Sequence, residues 1–181
     1  MVSLISTFVH FYNRKDLKYN IILLASAEEE RSGPNGISSI MPKLPKIDLA
    51  IIGEPTLMDI AIAEKGLIVF DLIVKGTSSH AAHNNNDNSI YKAIKIIDDI
   101  SKIKFSKKSD LLGEVKLTVT QIHAGVQHNV VPADVKIVLD ARINDKYSNL
   151  EIYEILKNEL NCEINARNLE LNSSSISKSH K

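Results

Sequence analysis

The feature that most constrains the fold of this chain is the order of apolar patterns between residues 67 and 171. Apolar and polar side chains alternate in some of these segments, which predicts strands with one buried face. In others, apolar side chains recur every three to four residues, which predicts amphipathic helices. The predicted strands are residues 67–74, 115–119, 135–139 and 162–171, and the predicted helices are residues 88–100 and 150–160.

These segments follow one another in the order β-α-β-β-α-β, which is the split βαβ arrangement of ferredoxin-like domains. We therefore expect a four-stranded antiparallel sheet with two helices on one face, over residues 61–171. The asparagine-rich loop of residues 84–88 leads into the first of these helices and is expected to cap it. The serine-rich residues 172–181 are expected to begin a return segment to the preceding domain.

The first sixty residues predict a separate α/β arrangement. Apolar residues at helical spacing predict a helix over residues 4–12, and a short helix is predicted over residues 36–41. Two apolar runs, residues 19–25 and 49–52, are predicted to be buried strands. Both runs lead into carboxylates, and α/β folds place their ligands at the ends of strands.

The carboxylates that follow these runs are candidates for metal binding and proton transfer. Glu28, Glu29 and Glu30 follow the first run, and Glu54 follows the second. Adjacent carboxylates repel one another and are costly to desolvate, so a bound cation would stabilise them. One could then ligate a metal while another moves a proton. The alternative is a solvated acidic turn, because runs of charge are usually exposed.

Polar residues of the ferredoxin-like region are further candidates. His80 follows a flexible Gly-Thr-Ser-Ser segment and could donate a hydrogen bond to an oxyanion, whereas His83 is expected to be an exposed loop residue. Arg142 ends a predicted strand and suits bidentate binding of a substrate carboxylate. Its alternative role is a salt bridge, since Asp140 lies two residues before it.

Charge and composition argue against several classes of function. Lys+Arg and Asp+Glu both number 22, so the chain lacks the basic excess of general nucleic-acid or membrane-surface binders. No apolar run approaches the roughly 18 residues that span a bilayer, and the first ten residues do not resemble a signal peptide. The single cysteine, Cys162, allows no intrachain disulfide and favours a reducing cytoplasm. We expect a cytoplasmic protein in which Cys162 is a core residue of the last strand.

Five segments together resemble the M20 family of metal-dependent amidohydrolases and peptidases. They are residues 26–30 (Ser-Ala-Glu-Glu-Glu), 52–56 (Ile-Gly-Glu-Pro-Thr), 64–66 (Glu-Lys-Gly), 76–80 (Gly-Thr-Ser-Ser-His) and 128–132 (His-Asn-Val-Val-Pro). Their order and spacing cover nearly the whole chain. The first and third segments look most like acetylornithine deacetylases and their succinylornithine relatives, a likeness that would place the protein in arginine biosynthesis.

The resemblance implies a zinc-binding α/β catalytic domain interrupted by a ferredoxin-like lid that also dimerises. Residues 1–60 would be part of the catalytic domain, and residues 61–171 would be the lid. A complete site of this family would hold two zinc ions, with cobalt or manganese as possible substitutes. The implied reaction is hydrolytic removal of an acyl group from an N-acyl amino acid by a homodimer.

The resemblance also assigns roles by position. Glu29 resembles the general base and Glu30 the metal ligand that follows it. The pair could instead be Glu28 and Glu29, but Gly36 falls at the family's usual distance when Glu29 and Glu30 are chosen. Glu54 resembles a ligand of one metal only.

In the lid, His80 resembles the histidine that reaches the partner subunit's site and supports the tetrahedral intermediate. Asn129 and Arg142 resemble residues that hold the substrate's carboxylate.

Parts of the family's pattern are not found in this sequence. They are the upstream His-x-Asp ligand motif, the bridging aspartate and the C-terminal histidine ligand, since the sequence ends near Ser179 and His180. We therefore expect an internal piece of such an enzyme that is inactive alone. The alternative is a non-catalytic dimerisation or binding module that pairs through exposed sheet edges and the helix of residues 88–100, without any metal requirement.

Overall fold

A computed structural model describes residues 1–31 and 33–177. Contacts between residues divide the chain into two compact units, Met1–Asp59 and Ile60–Lys181. Ser32 and the last part of the serine-rich tail, including Ser179 and His180, lie outside the described residues.

The regular elements are numbered in chain order. The helices are α1 (Val2–Phe11), α2 (Ile37–Ile40), α3 (Ser89–Lys102) and α4 (Asn149–Glu159), with two short 3₁₀ turns at Glu29–Arg31 and Met41–Lys43. The strands are β1 (Ala63–Glu64), β2 (Gly66–Lys75), β3 (Ser79–His80), β4 (Lys116–Ala124), β5 (Val130–Val131), β6 (Asp134–Ile143), β7 (Glu163–Ala166) and β8 (Ser174–Ser175).

The second unit has the predicted ferredoxin-like order, β2-α3-β4-β6-α4-β7. Its four main strands form one antiparallel sheet in the spatial order β4-β6-β2-β7. The central pair β2 and β6 is in continuous register from Gly66 opposite Ile143 to Lys75 opposite Asp134. The sequence therefore predicted the fold class and the topology of this unit correctly.

The core of this unit lies between one face of the sheet and helices α3 and α4. Every second residue of β2 and β6 is buried, as expected for a sheet covered on one side. The helices contribute the apolar side chains that repeat along one face, and these join the strand residues in a single cluster. Its fully buried members include Phe70, Leu72, Ile137, Leu139, Ala93, Ile152 and Leu156.

The start of each of these helices is capped by a polar side chain. Asn88 accepts a hydrogen bond from the Ile90 N–H at 2.8 Å, which confirms the cap predicted from the asparagine-rich loop. Ser148 and Glu151 form a reciprocal capping box at α4, each side chain accepting from the other's backbone N–H. These caps satisfy backbone donors that a helix start leaves without partners.

Two small ribbons extend the second unit beyond its main sheet. β3 pairs antiparallel with β5 just past the end of the sheet where β2 finishes and β6 begins. At the other end, β1 pairs with β8, with Ala63 opposite Ser175. The segments by which the chain enters and leaves this unit therefore lie side by side.

The strands predicted in the first unit are wrong. Residues 19–25 and 49–52 have irregular backbone, and Ile51 and Ile52 are each 79% exposed. A buried parallel strand needs neighbouring strands and covering helices to satisfy its backbone and bury its apolar side chains. Within the described residues of this unit, the only regular elements are α1, α2 and the 3₁₀ turns, so these runs have no sheet to join.

The last predicted strand is shorter than expected. Regular strand structure is confined to β7, although the Arg167 N–H still donates to the Val69 carbonyl and the Leu67 N–H to the Leu171 carbonyl. Cys162 immediately precedes β7 rather than lying within it. Burial raises the pKa of the Cys162 thiol to about 11, so this half-buried side chain stays protonated and acts by packing. Among the described helices, none is both long and apolar enough to cross a bilayer.

Candidate functional site

The segment that carries His80 is fixed by pairing with the segment that carries Asn129. Ser79 and His80 form β3, and His80 lies opposite Val130 of β5. The next residue, Ala81, donates its N–H to the Asn129 carbonyl at 2.9 Å. His80 and Asn129, which are 49 positions apart in sequence, are thereby brought together.

The His80 ring is held in one tautomer by its own turn. Its Nδ1 accepts a hydrogen bond from the Ala82 N–H at 3.2 Å, so in the neutral ring the proton belongs on Nε2. The Asn129 side-chain nitrogen lies 3.4 Å from that Nε2. His80 therefore presents a hydrogen-bond donor at an exposed surface.

The Gly-Thr-Ser-Ser segment before His80 is not the free segment that its sequence suggests. Gly76 donates its N–H to the Ala133 carbonyl at 2.8 Å, and a Cβ at this position would come within 2.5 Å of the Asp87 carbonyl oxygen. Thr77 donates its backbone N–H to that carbonyl and its hydroxyl to the Asp87 carboxylate, at 2.9 and 2.8 Å. Glycine thus permits the close approach that fixes the segment.

The asparagine-rich loop completes this network, a role that was not predicted from the sequence. The Asn85 side-chain amide donates to the Thr77 carbonyl at 2.8 Å and to the Ser79 hydroxyl at 2.7 Å. The ion pair with Lys92, followed by the Thr77 hydrogen bond, lowers the pKa of Asp87. The density of Asn and Asp ahead of a helix was the available signal, since such side chains commonly bond nearby backbone.

The other histidines near this ribbon differ in placement. His83 is exposed, as predicted, and its ring centroid lies 5.7 Å from that of His80. His123 and His128 are also exposed, on either side of the turn at Gly125. Within residues 1–31 and 33–177, no three His, Cys, Asp or Glu side chains come close enough together to hold a metal ion.

Arg142 is held by the carboxylate two residues before it on β6. Its Nε and Nη2 donate to the two Asp140 oxygens at 2.8 and 3.1 Å. The structure thus realises the salt-bridge alternative. A guanidinium has five N–H donors, so three remain for another acceptor. The salt bridge and carboxylate binding are therefore compatible roles.

The structure does not bring Arg142 close to the pair of His80 and Asn129 within one chain. His80 and Asn129 lie beyond the end of the sheet where β6 begins, whereas Arg142 is eight residues after Asp134, the first residue of β6. At the rise of an extended strand this separation is about 26 Å. All three residues remain candidates, but they belong to opposite ends of the sheet.

In the first unit, Glu28 differs from the two glutamates that follow it. Glu28 has a left-handed backbone conformation, with φ of 57°, and its carboxylate accepts from the Asn35 backbone and side-chain amides at 3.1 and 3.2 Å. It also accepts the Gly33 N–H at its carbonyl, at 3.1 Å. Glu28 is therefore engaged in closing its own loop, which favours the choice of Glu29 and Glu30 as the functional pair.

Glu29 and Glu30 begin the 3₁₀ turn and are exposed. Glu54 is also exposed, and its N–H donates to the Ile52 carbonyl at 3.2 Å. Carboxylate oxygens are acceptable zinc ligands, but a catalytic zinc site ordinarily needs three protein ligands per ion. Since no such group is assembled among the described residues, these glutamates do not by themselves fit a complete metal site.

Comparison with known families identifies the second unit. The family model described as the peptidase dimerisation domain, M20_dimer, matches residues 62–167, more than half of the chain. The matched segment contains His80, Asn129 and Arg142, together with all four strands of the main sheet.

Curated relatives match over a longer stretch. A succinyl-diaminopimelate desuccinylase from Helicobacter pylori strain Shi470 is 33% identical over 177 residues, covering 90% of this chain and 45% of that protein. A protein of the same name from Wigglesworthia glossinidia brevipalpis is 30% identical over 161 residues, covering 82% and 43%. The chain therefore spans less than half the length of these relatives.

Solved structures support the fold. One is a putative amidohydrolase/peptidase from Burkholderia cenocepacia, with a TM-score of 0.52 and 16% identity over 65% of this chain and 31% of that one. Another is a hydantoinase/carbamoylase family amidase from Burkholderia ambifaria, with a TM-score of 0.51 and 13% identity over 65% and 31%. The family model over more than half of the chain, together with a relative 33% identical over 90% of it, shows that the chain belongs to the M20 family of peptidases and amidohydrolases.

Proposed function

We propose that this chain contributes to a metal-dependent amide hydrolase that removes an acyl group from an N-acyl amino acid. The observation that carries the proposal is that His80 and Asn129 lie side by side at the ribbon of β3 and β5, with the Nε2 donor of His80 exposed. Such a donor stabilises the negative charge that develops on a carbonyl oxygen during amide hydrolysis. Asn129 offers a second polar group to the substrate beside it.

The acyl group that we favour is succinyl. The motifs alone favoured acetylornithine deacetylases, but the curated relatives reported above are named succinyl-diaminopimelate desuccinylases. Such a substrate carries carboxylates, and Arg142 keeps three N–H donors free for one of them. The expectation of arginine biosynthesis depended on acetylornithine, and it is not part of this proposal.

The placement of the candidate residues favours a site shared between two copies. An N-acyl amino acid is much shorter than the roughly 26 Å of strand that separates Arg142 from the His80 end of the sheet. If Arg142 and His80 contact the same substrate molecule, they belong to different copies of the chain. This agrees with the matched description of a dimerisation domain, and it implies that His80 acts in its partner's site.

The surface that we propose for this dimer lies at α3 and the edge strand β4. β4 has β6 on one side only, so its other edge offers free backbone groups for pairing with another strand. Tyr91 and Ile94 on α3 are 72% and 58% exposed, which is costly for large apolar side chains unless a partner covers them. A two-fold axis would place the same patch on both copies.

The metal-binding part of the proposal concerns Glu29, Glu30 and Glu54. We propose Glu30 and Glu54 as metal ligands and Glu29 as the group that moves a proton, with zinc as the expected ion and cobalt or manganese as substitutes. Since the described residues do not complete a metal site, the remaining ligands must come from outside them. The isolated 181-residue chain is therefore expected to be inactive.

The test is release of succinate from an N-succinyl amino acid by a longer protein that contains this chain together with the remaining metal ligands, with metal content measured on the same sample. We expect activity that a chelator abolishes and that His80→Ala lowers about 10²- to 10³-fold, the usual loss for an oxyanion donor. His83→Ala is the matched control and should leave the rate unchanged. A metal-free dimer without hydrolase activity would instead support the non-catalytic dimerisation module.

A further inference from the structure

The face of the sheet opposite the helices carries a row of side chains that includes Arg142. Across the strands β2, β6 and β4, Leu67, Arg142 and Lys116 occupy one row, with Arg142 directly opposite both neighbours. Directly opposite residues of an antiparallel pair have Cβ atoms about 4.5–5.5 Å apart on the same face. Lys116 and Arg142 therefore stand side by side, and both side chains are exposed.

The charges around this row leave Lys116 without a compensating carboxylate. Asp140 is engaged with Arg142, and Glu114 is engaged with Lys108 at 3.3 Å. In the described part of the chain, no carboxylate lies within ion-pair distance of Lys116. Lys65 adds a further positive charge at this corner, because its ammonium donates to the Glu114 backbone carbonyl at 2.7 Å rather than to a carboxylate.

The orientation of Arg142 also matters. Asp140 occupies the edge of the guanidinium formed by Nε and Nη2, so the free donors are both hydrogens of Nη1 and one of Nη2. These form the second edge at which a guanidinium can hold a carboxylate in a bidentate manner. Arg142 is thus pre-oriented to bind one carboxylate while Lys116 remains available for another.

We propose that Lys116 is a specificity-determining residue that, beside Arg142, selects substrates with two carboxylates over substrates with one. This rests on the proposed function, in which Arg142 binds a carboxylate of an N-acyl amino acid. An N-succinyl group ends in a carboxylate that an N-acetyl group lacks. Arg142 binds the carboxylate that both substrate types share, and Lys116 binds the additional one.

The expected size of the effect is modest because the site is exposed. Two unit charges about 5 Å apart in a water-like dielectric attract one another enough to change a binding constant about fourfold. The preference should also shrink as ionic strength rises, because added salt screens exposed charges. A loss of preference between low and high salt is therefore part of the expected signature.

The experiment is a titration of the ¹⁵N-labelled 181-residue chain with N-succinylglycine and, separately, N-acetylglycine, followed by NMR. For the wild-type chain we expect shifts around Arg142 with both ligands and about fourfold tighter binding of the succinyl compound at low salt. Lys116→Gln should remove the preference, and Lys116→Arg should retain it. Lys136→Gln is the matched control, since Lys136 lies on the same face of β6 near its other end.

The outcomes separate this inference from the proposed function. Binding of both ligands at Arg142 with no succinyl preference, or a preference that survives Lys116→Gln, overturns the role of Lys116 alone. If neither ligand perturbs the surroundings of Arg142, the proposed carboxylate role of Arg142 fails and the inference fails with it. Folding of each variant is checked by the unchanged spectrum of the core strands, so a misfolded variant cannot be mistaken for a lost site.

Discussion

Asn129 contacts the His80 segment at two points, through its backbone carbonyl on Ala81 and through its side-chain amide 3.4 Å from His80 Nε2. The backbone contact fixes the ribbon, and the side-chain contact places a polar group beside the outer edge of the ring. The opposite ring nitrogen is fixed by the Ala82 N–H. The Ala82 bond defines the tautomer and leaves the Nε2 hydrogen available, which matters for a residue proposed to donate a hydrogen bond.

The first prediction concerns this tautomer. We expect the neutral His80 ring to carry its proton on Nε2, because Nδ1 accepts from the Ala82 N–H. Imidazole ¹⁵N chemical shifts of the 181-residue chain measure this directly. Asn129→Ala should leave the tautomer unchanged, since the Ala82 bond remains. A ring with its proton mainly on Nδ1 would contradict the proposed donor.

The second prediction concerns the network that holds the His80 segment. Asp87→Ala removes the acceptor of the Thr77 hydroxyl and the partner of Lys92, while the backbone bond to the Asp87 carbonyl remains. We therefore expect faster amide hydrogen exchange at Thr77 and Ala81, with little change in the core strands. Asp99→Ala, which removes a carboxylate within α3 rather than in the loop before it, is the control. Equal protection in both variants would show that Asp87 does not restrain the segment.

The third prediction is a pH dependence of stability in the second unit. The Asp71 carboxylate binds Arg167 in a bidentate manner, at 2.8 Å for each contact, and this hydrogen bonding lowers the pKa of Asp71. A carboxyl whose folded-state pKa lies below its unfolded value stabilises the protein above the unfolded pKa. That stabilisation is lost as pH falls below about 4 and through the folded pKa.

Thermal melts at pH 7 and pH 3 test this linkage. Asp71→Asn keeps the size of the side chain but removes the titration, so its Tm should fall less than that of the wild type on acidification. The pair is exposed, so the difference is expected to be small and to decrease in high salt. An identical acid-induced fall in both proteins would assign the acid sensitivity to other carboxylates, such as Glu151, whose pKa is also lowered.

How much the sequence predicted depends on whether the partners of each residue lie nearby in the chain. The ferredoxin-like order followed from alternation and helical spacing, because β2, β6 and α3 find their core partners within the same unit. Residues 19–25 and 49–52 carry an equally clear apolar pattern, yet such strands form only against neighbouring strands. Periodicity reports what a segment would bury, and it does not reveal whether a surface exists to bury it against.

The candidate site, too, was predicted only in part from the sequence. The motifs identified His80 and Asn129, and the structure places them together, but neither motif indicated that Asn85 and Asp87 hold the segment. Those contacts depend on the close approach at Gly76, which only the folded chain reveals. The sequence placed Arg142 at the end of the strand that follows Asn129, but it could not show that His80 lies beside Asn129 at the other end, because that follows from the pairing of β3 with β5.

The fourth prediction concerns the dimer and follows from the exposed face of α3. Tyr91→Asp together with Ile94→Asp places two charges where a second copy would bury apolar side chains, so we expect the chain to become monomeric in sedimentation equilibrium. Because both residues are exposed within one chain, the Tm of the monomer should change little. Leu150→Asp is the matched control, since Leu150 is 57% exposed but lies on α4. A wild-type chain that is monomeric at all concentrations, or a double variant that still dimerises, would show that this face is not the interface. In the first case, Arg142 and His80 would also lack the second copy that the shared site requires.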